Sequence, residues 1–483
     1  MSAHSNPPKA IFVFPSAAGH INPSLPLARG LVVRGWAVDY LATPTFRAGI
    51  EDTGATFCDR DDVCRAGGIE DVTAMVMATR AEYIPGGDPP QWWLNFGSIS
   101  TSKLLPIYVD YLRSQGATLV IYCPVLCQVA RFAAMKLQVP SVSLLTAAGP
   151  GYFDAAIASM AGAAAVRGAA AGLVAAVAAS ALNAKAVESI RSQMAMPALT
   201  LNTAEPLCCD HYASVNLVST TEELADPMCA ADADFYRAAG KAFHFVGPLL
   251  DVSGAKRSQP GQAGEAAQQE LMRRVEAAAA SGRRVVYVSM GTVITSDGAE
   301  HGWSGTSGSG ITGQQLCQSV YRAVFEELGG AEGEGSPLIV VSLGPQPDAL
   351  KGVAVPPNAA CAAAVPQVDL LRLGRPALFV TNGGQNSLME SMTVGTPVLV
   401  CPGFGDQNSN AVKVEKHGWG AKVGRPAATD EVDVAAYKAA VRSGVREVLE
   451  SEEYAKQAKL IAAGLARAEG VDGALRIIEA AAP

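Results

Sequence analysis

The stretch FVTNGGQNSLMESMTVGTP at residues 379–397 runs from an apolar strand through two glycines into a helix that stops at another glycine. A helix start leaves backbone N–H donors unpaired and gathers partial positive charge, so a strand, a glycine turn and a helix form an anion site without any basic side chain. Gly383 and Gly384 let a phosphate approach the backbone, while Asn386 and Ser387 add donors in the first turn. Glu390, one turn on, can accept hydrogen bonds from ribose hydroxyls. Taken alone, the same stretch reads equally well as a tight turn made for packing. A second candidate is His20, in the small-residue loop PSAAGH. A neutral imidazole, with a reference pKa of about 6.5, can take the proton that an attacking alcohol sheds.

Such groups act only if regular elements hold them. Residues 11–14 form an apolar run ahead of PSAAGH, Asn22 and Pro23 supply an N-cap and a first helical position, and Leu25, Ala28, Leu31 and Val32 recur at helical spacing until Arg34 and Gly35. WAVDYLAT then reads as a second buried strand, completing a βαβ unit whose first loop, with His20, lies at the carboxyl ends of parallel strands, where open α/β sheets bind ligands. The second half repeats this order in RVVYVSMGT, PLIVVSLG, ALFVTNGG and TPVLVCPGFGDQ. Between the halves, residues 245–265 lose their periodicity and collect Gly, Pro, Ser and charge, which places a domain boundary near Pro248. SDGAEHGWSGTSGSG and GGAEGEGSP read as loop insertions without regular structure, the first close behind Thr292 and so beside the cleft.

Composition narrows the partners. With 483 residues, two domains are expected, and 49% hydrophobic against 17% charged residues suits buried parallel sheets. A net charge of -8 leaves no cation excess for a nucleic acid or an anionic membrane. The ten cysteines show no CxxC pair or metal spacing, and the chain opens on polar residues, as expected for reduced thiols in the cytosol. The uncharged run at 168–182 is too short for a membrane span and reads as a buried or loosely amphipathic helix.

In their order and separations, VSMGT, VPQVDLL and TNGGQNSLMESMTVGTPVLVCPGFGDQNSNA resemble the donor cassette of the family 1 glycosyltransferases, which glycosylate small molecules from nucleotide sugars. GHINPSLPLARGLVVRGWAVDYLATPTF is similar to that family's opening segment, and YAKQAKLIAAGLARAEGVDGALRIIEA to its terminal helices. The likeness frames nearly the whole chain and is weakest between positions 60 and 240, apart from LVIY and VPSVSLLT. It implies an α/β, GT-B fold of two facing Rossmann-like domains: an acceptor-binding domain over 1–248, a linker over 249–266, a nucleotide-sugar-binding domain over 267–460 and a terminal helix over 461–483 crossing back to the first. It implies an inverting transfer from a nucleoside diphosphate sugar, a UDP-hexose, to a hydroxyl of a small hydrophobic acceptor. The expected protein is a cytoplasmic monomer with no integral membrane segment, no cofactor beyond the nucleotide-sugar co-substrate and no metal, since helix N-termini screen the leaving diphosphate.

Residue by residue, the likeness puts Ser289, Gly291 and Thr292 near the donor phosphates and Gln367 at the nucleobase or ribose. Glu390 would hold the ribose, while Asn382, Gly383, Gly384, Asn386 and Ser387 would carry the diphosphate. Asp406 and Gln407 would read the sugar hydroxyls, and His20 would be the base. Four departures stand out. Asn382 replaces the family's usual His, Ala364 an aromatic residue and Gln385 a Trp or Met. LVIY continues as Cys123-Pro124 where the family has the Asp that supports its base, and no acid occurs between Asp110 and Asp154. A sugar-nucleotide epimerase of the same fold and a catalytically impaired nucleotide-binding regulator are the alternatives. DRDD at 59–62 reads as a solvated loop, and PPQWWLNF, with Trp92 and Trp93, reads as either an apolar acceptor wall or ordinary core.

Overall fold

In a computed structural model, the chain is described over residues 7–72, 89–152, 181–193, 211–257, 265–308, 310–333, 335–427 and 431–482, with 74, 75, 78, 154, 155, 158 and 195 singly. The run at 168–180 and part of the linker lie outside these residues, as do the side chains of Trp92 and Trp93. Two compact units emerge, Met1–Asp251 with Glu469–Pro483, and Val252–Ala468.

The first unit contains β1 (Lys9–Val13), β2 (Ala37–Ala42), β3 (Thr56–Asp59), β4 (Leu119–Tyr122), β5 (Ser141–Leu145), β6 (Val215–Val218) and β7 (Ala242–Phe245). They pair in parallel in the order β3-β2-β1-β4-β5-β6-β7. The second contains β8 (Val285–Ser289), β9 (Leu338–Ser342), β10 (Ala359–Ala362), β11 (Leu378–Thr381), β12 (Val398–Val400) and β13 (Gly420–Lys422), also parallel, in the order β10-β9-β8-β11-β12-β13. Strands such as LVIY and LFVT are buried along their whole length, which is why they read as unbroken apolar runs rather than alternating patterns. Each sheet reverses its strand order once, between β1 and β4 and between β8 and β11, and the carboxyl ends flanking such a reversal form the ligand crevice of an open α/β sheet. Each unit is thus an open parallel sheet of the Rossmann-like kind. No described helix is long and apolar enough to cross a membrane.

Three local expectations need correction. The chain after β1 does not wait for Asn22 to become helical: Ala18–Ile21 is already one helical turn, and Asn22–Ser24 continues as a 3-10 turn into the helix Leu25–Val33. Pro23 has no N–H to give to an α-helical ladder, so the tighter turn forms around it. DRDD is no loop. Asp59 caps the helix Arg60–Ala66 by accepting from the Asp61 amide, and Asp61 and Asp62 pair with Arg60 and Arg65. The terminal segment rejoins the first unit only from Glu469 rather than 461, because the helix Glu452–Leu465 runs through that position and packs on the helix Gln385–Thr393 of the second unit.

The last helix, Gly470–Ala481, completes the first core. Leu475 and Ile478 are 2% and 0% exposed within it, against the helix Leu25–Val33, and Arg34 pairs with Glu479 at the rim. Leu475→Ala should therefore lower the unfolding free energy of this unit by about 2–5 kcal/mol, read from chemical denaturation, since the cavity adds to the lost transfer energy.

Candidate functional site

His20 lies in the turn Ala18–Ile21, just beyond β1 and beside the first reversal of strand order. Its Nδ1 is 3.3 Å from Cys123 Sγ, just past the end of β4, and 3.1 Å from Thr146 Oγ1, just past the end of β5. Three strand ends thus converge on one imidazole. Burial pushes the His20 pKa down to about 4 and that of Cys123 up to about 11, so both are neutral at pH 7. The position where the family keeps an Asp holds an uncharged thiol. Thr146 can accept the Nδ1 proton, leaving Nε2 as the nitrogen with the lone pair.

In the second unit, the turn after β11 is built by sterics. Gly383 has φ +82, and a Cβ there would stand 2.5 Å from Val400 Cγ1, so the chain can pass β12 only as glycine. Gly291, after β8, has φ +77, and its missing Cβ is filled by the Asn382 amide, whose Nδ2 would be 2.6 Å from it. Asn382, 5% exposed, therefore bridges the two strand ends at the second reversal. Asn410 Nδ2 donates to the Gly383 carbonyl at 2.9 Å, fixing the turn from behind. Gly384 is the N-cap of the helix Gln385–Thr393, with Asn386 and Ser387 half-buried in its first turn. Gln385 is 5% exposed, and its Nε2 has no partner among the described residues. Ser289 closes β8, and Thr292 follows Gly291 half-buried.

Glu390, on the same helix, is 4% exposed, and both of its oxygens are engaged. Arg257 Nη2 donates to Oε1 at 2.7 Å and Gln367 Nε2 to Oε2 at 2.6 Å. Gln367 also donates to Ser387 Oγ at 3.1 Å and accepts from Tyr287 at 3.0 Å, a pattern that fixes which end of its amide faces the carboxylate. Gln367 thus gives one amide proton to Glu390 and the other to Ser387. Ala364, where a base-stacking ring is usual, is buried at 2% exposure.

Asp406 opens the helix Asp406–His417. Gln407 accepts at its Oε1 from the Gly403 and Phe404 amides at 2.8 and 3.3 Å. The insertion behind Thr292 is irregular but anchored. Trp303 is buried and donates to Asp348 at 2.9 Å, and His301 stacks on Phe404 with centroids 4.3 Å apart and 8° between planes. Arg425 donates to the carbonyls of Gly403, Gly305 and Ile311. The insertion and the 402–407 loop are therefore one packed piece. Sequence reading passed over Thr146, Arg257 and Tyr287. Thr146 carries the signal of a polar group just past a strand end, and Tyr287 that of an amphipathic ring in the middle of an apolar strand; Arg257 carries none, since its partner is 133 residues away.

A protein-family model described as "UDP-glucoronosyl and UDP-glucosyl transferase" matches residues 210–462, just over half of the chain. UDP-glucuronosyltransferase 3A1 of Mus musculus is 42% identical over 73 residues, 15% of this chain and 14% of that protein. The uncharacterized UDP-glucosyltransferase YojK of Bacillus subtilis (strain 168) is 34% identical over 116 residues, 24% of this chain and 26% of that one. The chain thus matches only a minor part of these relatives' length. Among solved structures, the glycotransferase of kitacinnamycin superposes with TM-score 0.63 at 20% identity, covering 99% of this chain and 100% of its own. The calicheamicin glycosyltransferase CalG4 gives 0.62 at 16%, with 99% and 98% covered, and the spinosyn rhamnosyltransferase SpnG, complexed with thymidine diphosphate, 0.57 at 16%, with 97% and 100% covered. These likenesses establish the fold, and with the family match over the second unit, the chain belongs to the UDP-glucoronosyl and UDP-glucosyl transferase family of GT-B glycosyltransferases.

Proposed function

We propose that the protein is an inverting glycosyltransferase that moves a hexose from a nucleoside diphosphate, UDP, to a hydroxyl of a small hydrophobic acceptor. The observation that carries this reading is the glycine turn opening the helix Gln385–Thr393 at the second strand reversal, with the Glu390 carboxylate held one turn beyond it. Backbone N–H groups at that helix start, with Asn386 and Ser387, suit a diphosphate, and Glu390 suits the ribose. Ser289, Gly291 and Thr292 flank the phosphates from β8, and Asp406 with the Gln407 amide reads the sugar. Relatives named for UDP-sugars and for natural-product glycosylation support both the donor class and an acceptor of this kind.

In the reaction, the acceptor oxygen bonds to the anomeric carbon as the bond from that carbon to the diphosphate breaks, and His20 Nε2 takes the hydroxyl proton. Attack opposite the leaving group inverts the centre. The partial positive charge at the helix start takes up the charge that grows on the diphosphate, so no metal is invoked. With neutral Thr146 and Cys123 on Nδ1, no anion among the described residues pairs with the ring, which makes His20 a weak base that is unprotonated over a wide pH range.

A mass-spectrometric screen of nucleotide sugars against mixed hydrophobic alcohols tests the reading, and proton NMR of the product's anomeric centre tests inversion. Epimerised donor, or nucleotide binding without turnover, would overturn it. His20→Ala should lower turnover by about 10²–10⁴-fold with donor affinity unchanged. Because the neutral ring is the active form and its pKa is about 4, the acid limb of the rate profile should fall near pH 4 rather than in the usual histidine range. Cys123→Asp places a carboxylate against Nδ1 and should raise the His20 pKa by about 1–3 units, moving that limb upward; ¹⁵N NMR titration measures the shift directly.

A further inference from the structure

Glu390 poses a problem of burial. A carboxylate at 4% exposure is costly unless it is paired, and the family pattern offers it only a ligand that comes and goes. The chain supplies a permanent partner from far away in sequence. Arg257, its side chain 16% exposed, reaches Oε1 at 2.7 Å from the segment that opens the second unit. That segment is itself fastened: Ser253 Oγ donates to Asp369 Oδ1 at 2.8 Å, and the Gly254 amide to Asp369 Oδ2 at 3.2 Å. Asp369 and Gln367 belong to one helix, Gln367–Gly374, so a single helix anchors the backbone that carries Arg257 and the amide that holds the other oxygen of Glu390.

We propose that Arg257 is a positioning residue for nucleoside recognition, fixing a charged Glu390 carboxylate with Gln367 so that each oxygen keeps a lone pair for a ribose diol. An ionised carboxylate has about four acceptor directions, and the described residues use one on each oxygen. The two that remain sit on adjacent oxygens of one rigid group, the pattern a vicinal diol matches with two O–H donors. The guanidinium does not contact the nucleotide in this role. It replaces the water that would otherwise solvate the charge, and it stops the carboxylate from rotating its lone pairs away. The opposite role, a plug that nucleotide must displace, would make removal of Arg257 tighten binding.

The inference rests on the nucleotide-sugar reading, and one set of titrations separates the two. Calorimetry of the full chain with UDP and with 2′,3′-dideoxy-UDP gives an affinity ratio that reports the diol alone. The unsubstituted protein should prefer UDP by about tenfold or more, since hydrogen bonds to a charged group are at stake. Arg257→Met and Arg257→Gln should bring that ratio close to one, with dideoxy-UDP affinity held within about twofold, while Arg257→Lys should restore part of the preference. A purely structural arginine would weaken both ligands alike. Thermal melting identifies the variants that fold, and the glutamine variant, shorter but polar, serves if the methionine variant does not. An undiminished ratio in a folded neutral variant, equal loss of both ligands, or tighter UDP binding would overturn the role given to Arg257. Failure of the unsubstituted protein to bind UDP at all would instead remove the nucleotide-sugar reading, and this inference with it.

Discussion

In a parallel sheet that reverses its strand order, the helices on either side of the reversal leave toward opposite faces, so the strand ends there have no covering element. Backbone donors and short polar side chains at those ends must find partners or bind something. Both units of this protein have that gap, and each fills it differently. Between β1 and β4 the occupant is a side chain, His20, held by groups from β4 and β5. Between β8 and β11 the turns themselves lock together, with Asn382 seated on Gly291 and Gly383 squeezed past Val400, and the helix start beyond them keeps its donors for an anion.

The electrostatics of the two places are opposite in kind. Around His20 every contact on Nδ1 is neutral, and desolvation alone decides the charge of the ring. On the mechanism proposed above, a base with so low a pKa is unprotonated over a wide pH range and draws a proton less strongly than an imidazole paired with a carboxylate. On the same proposal, charge growing on the departing diphosphate is stabilised at the helix start. Around Glu390, by contrast, charge is compensated by charge, within a chain from Arg257 through Gln367 to Tyr287. Of the two groups, Glu390 has an ion-pair partner, and His20 has none among the described residues.

What could be read in the sequence follows the range of the interactions. Strands buried on both faces must be apolar along their length, so LVIY, LFVT and VVYVS declared themselves, and the glycine turn with Asn386, Ser387 and Glu390 was legible because its chemistry fits within eight residues. The absence of an acid after LVIY was equally plain, and the structure places the thiol there against the ring. Partners brought from afar were not legible. Thr146 meets His20 across 126 residues and Arg257 meets Glu390 across 133, and no local pattern announces either. The Gly/Ser-rich insertion read as unstructured because its composition lacks periodicity, yet Trp303 and His301 give it two ring anchors and Arg425 a third hold. The terminal boundary was misplaced because the helix Glu452–Leu465 resembles its successor in composition while packing in a different unit.

The return of Gly470–Ala481 to the first unit sets an order of events during synthesis. Domains ordinarily fold as they leave the ribosome, first half first. Here the first half emerges without the helix that seals Leu475 and Ile478 into its core and lets the Gly470 amide pair with the Val246 carbonyl. More than two hundred residues of the second unit must be made before that helix exists, an interval on the order of tens of seconds at ordinary elongation rates. Over that time the nascent first unit keeps an apolar seam open, and the second unit can finish folding before the first does.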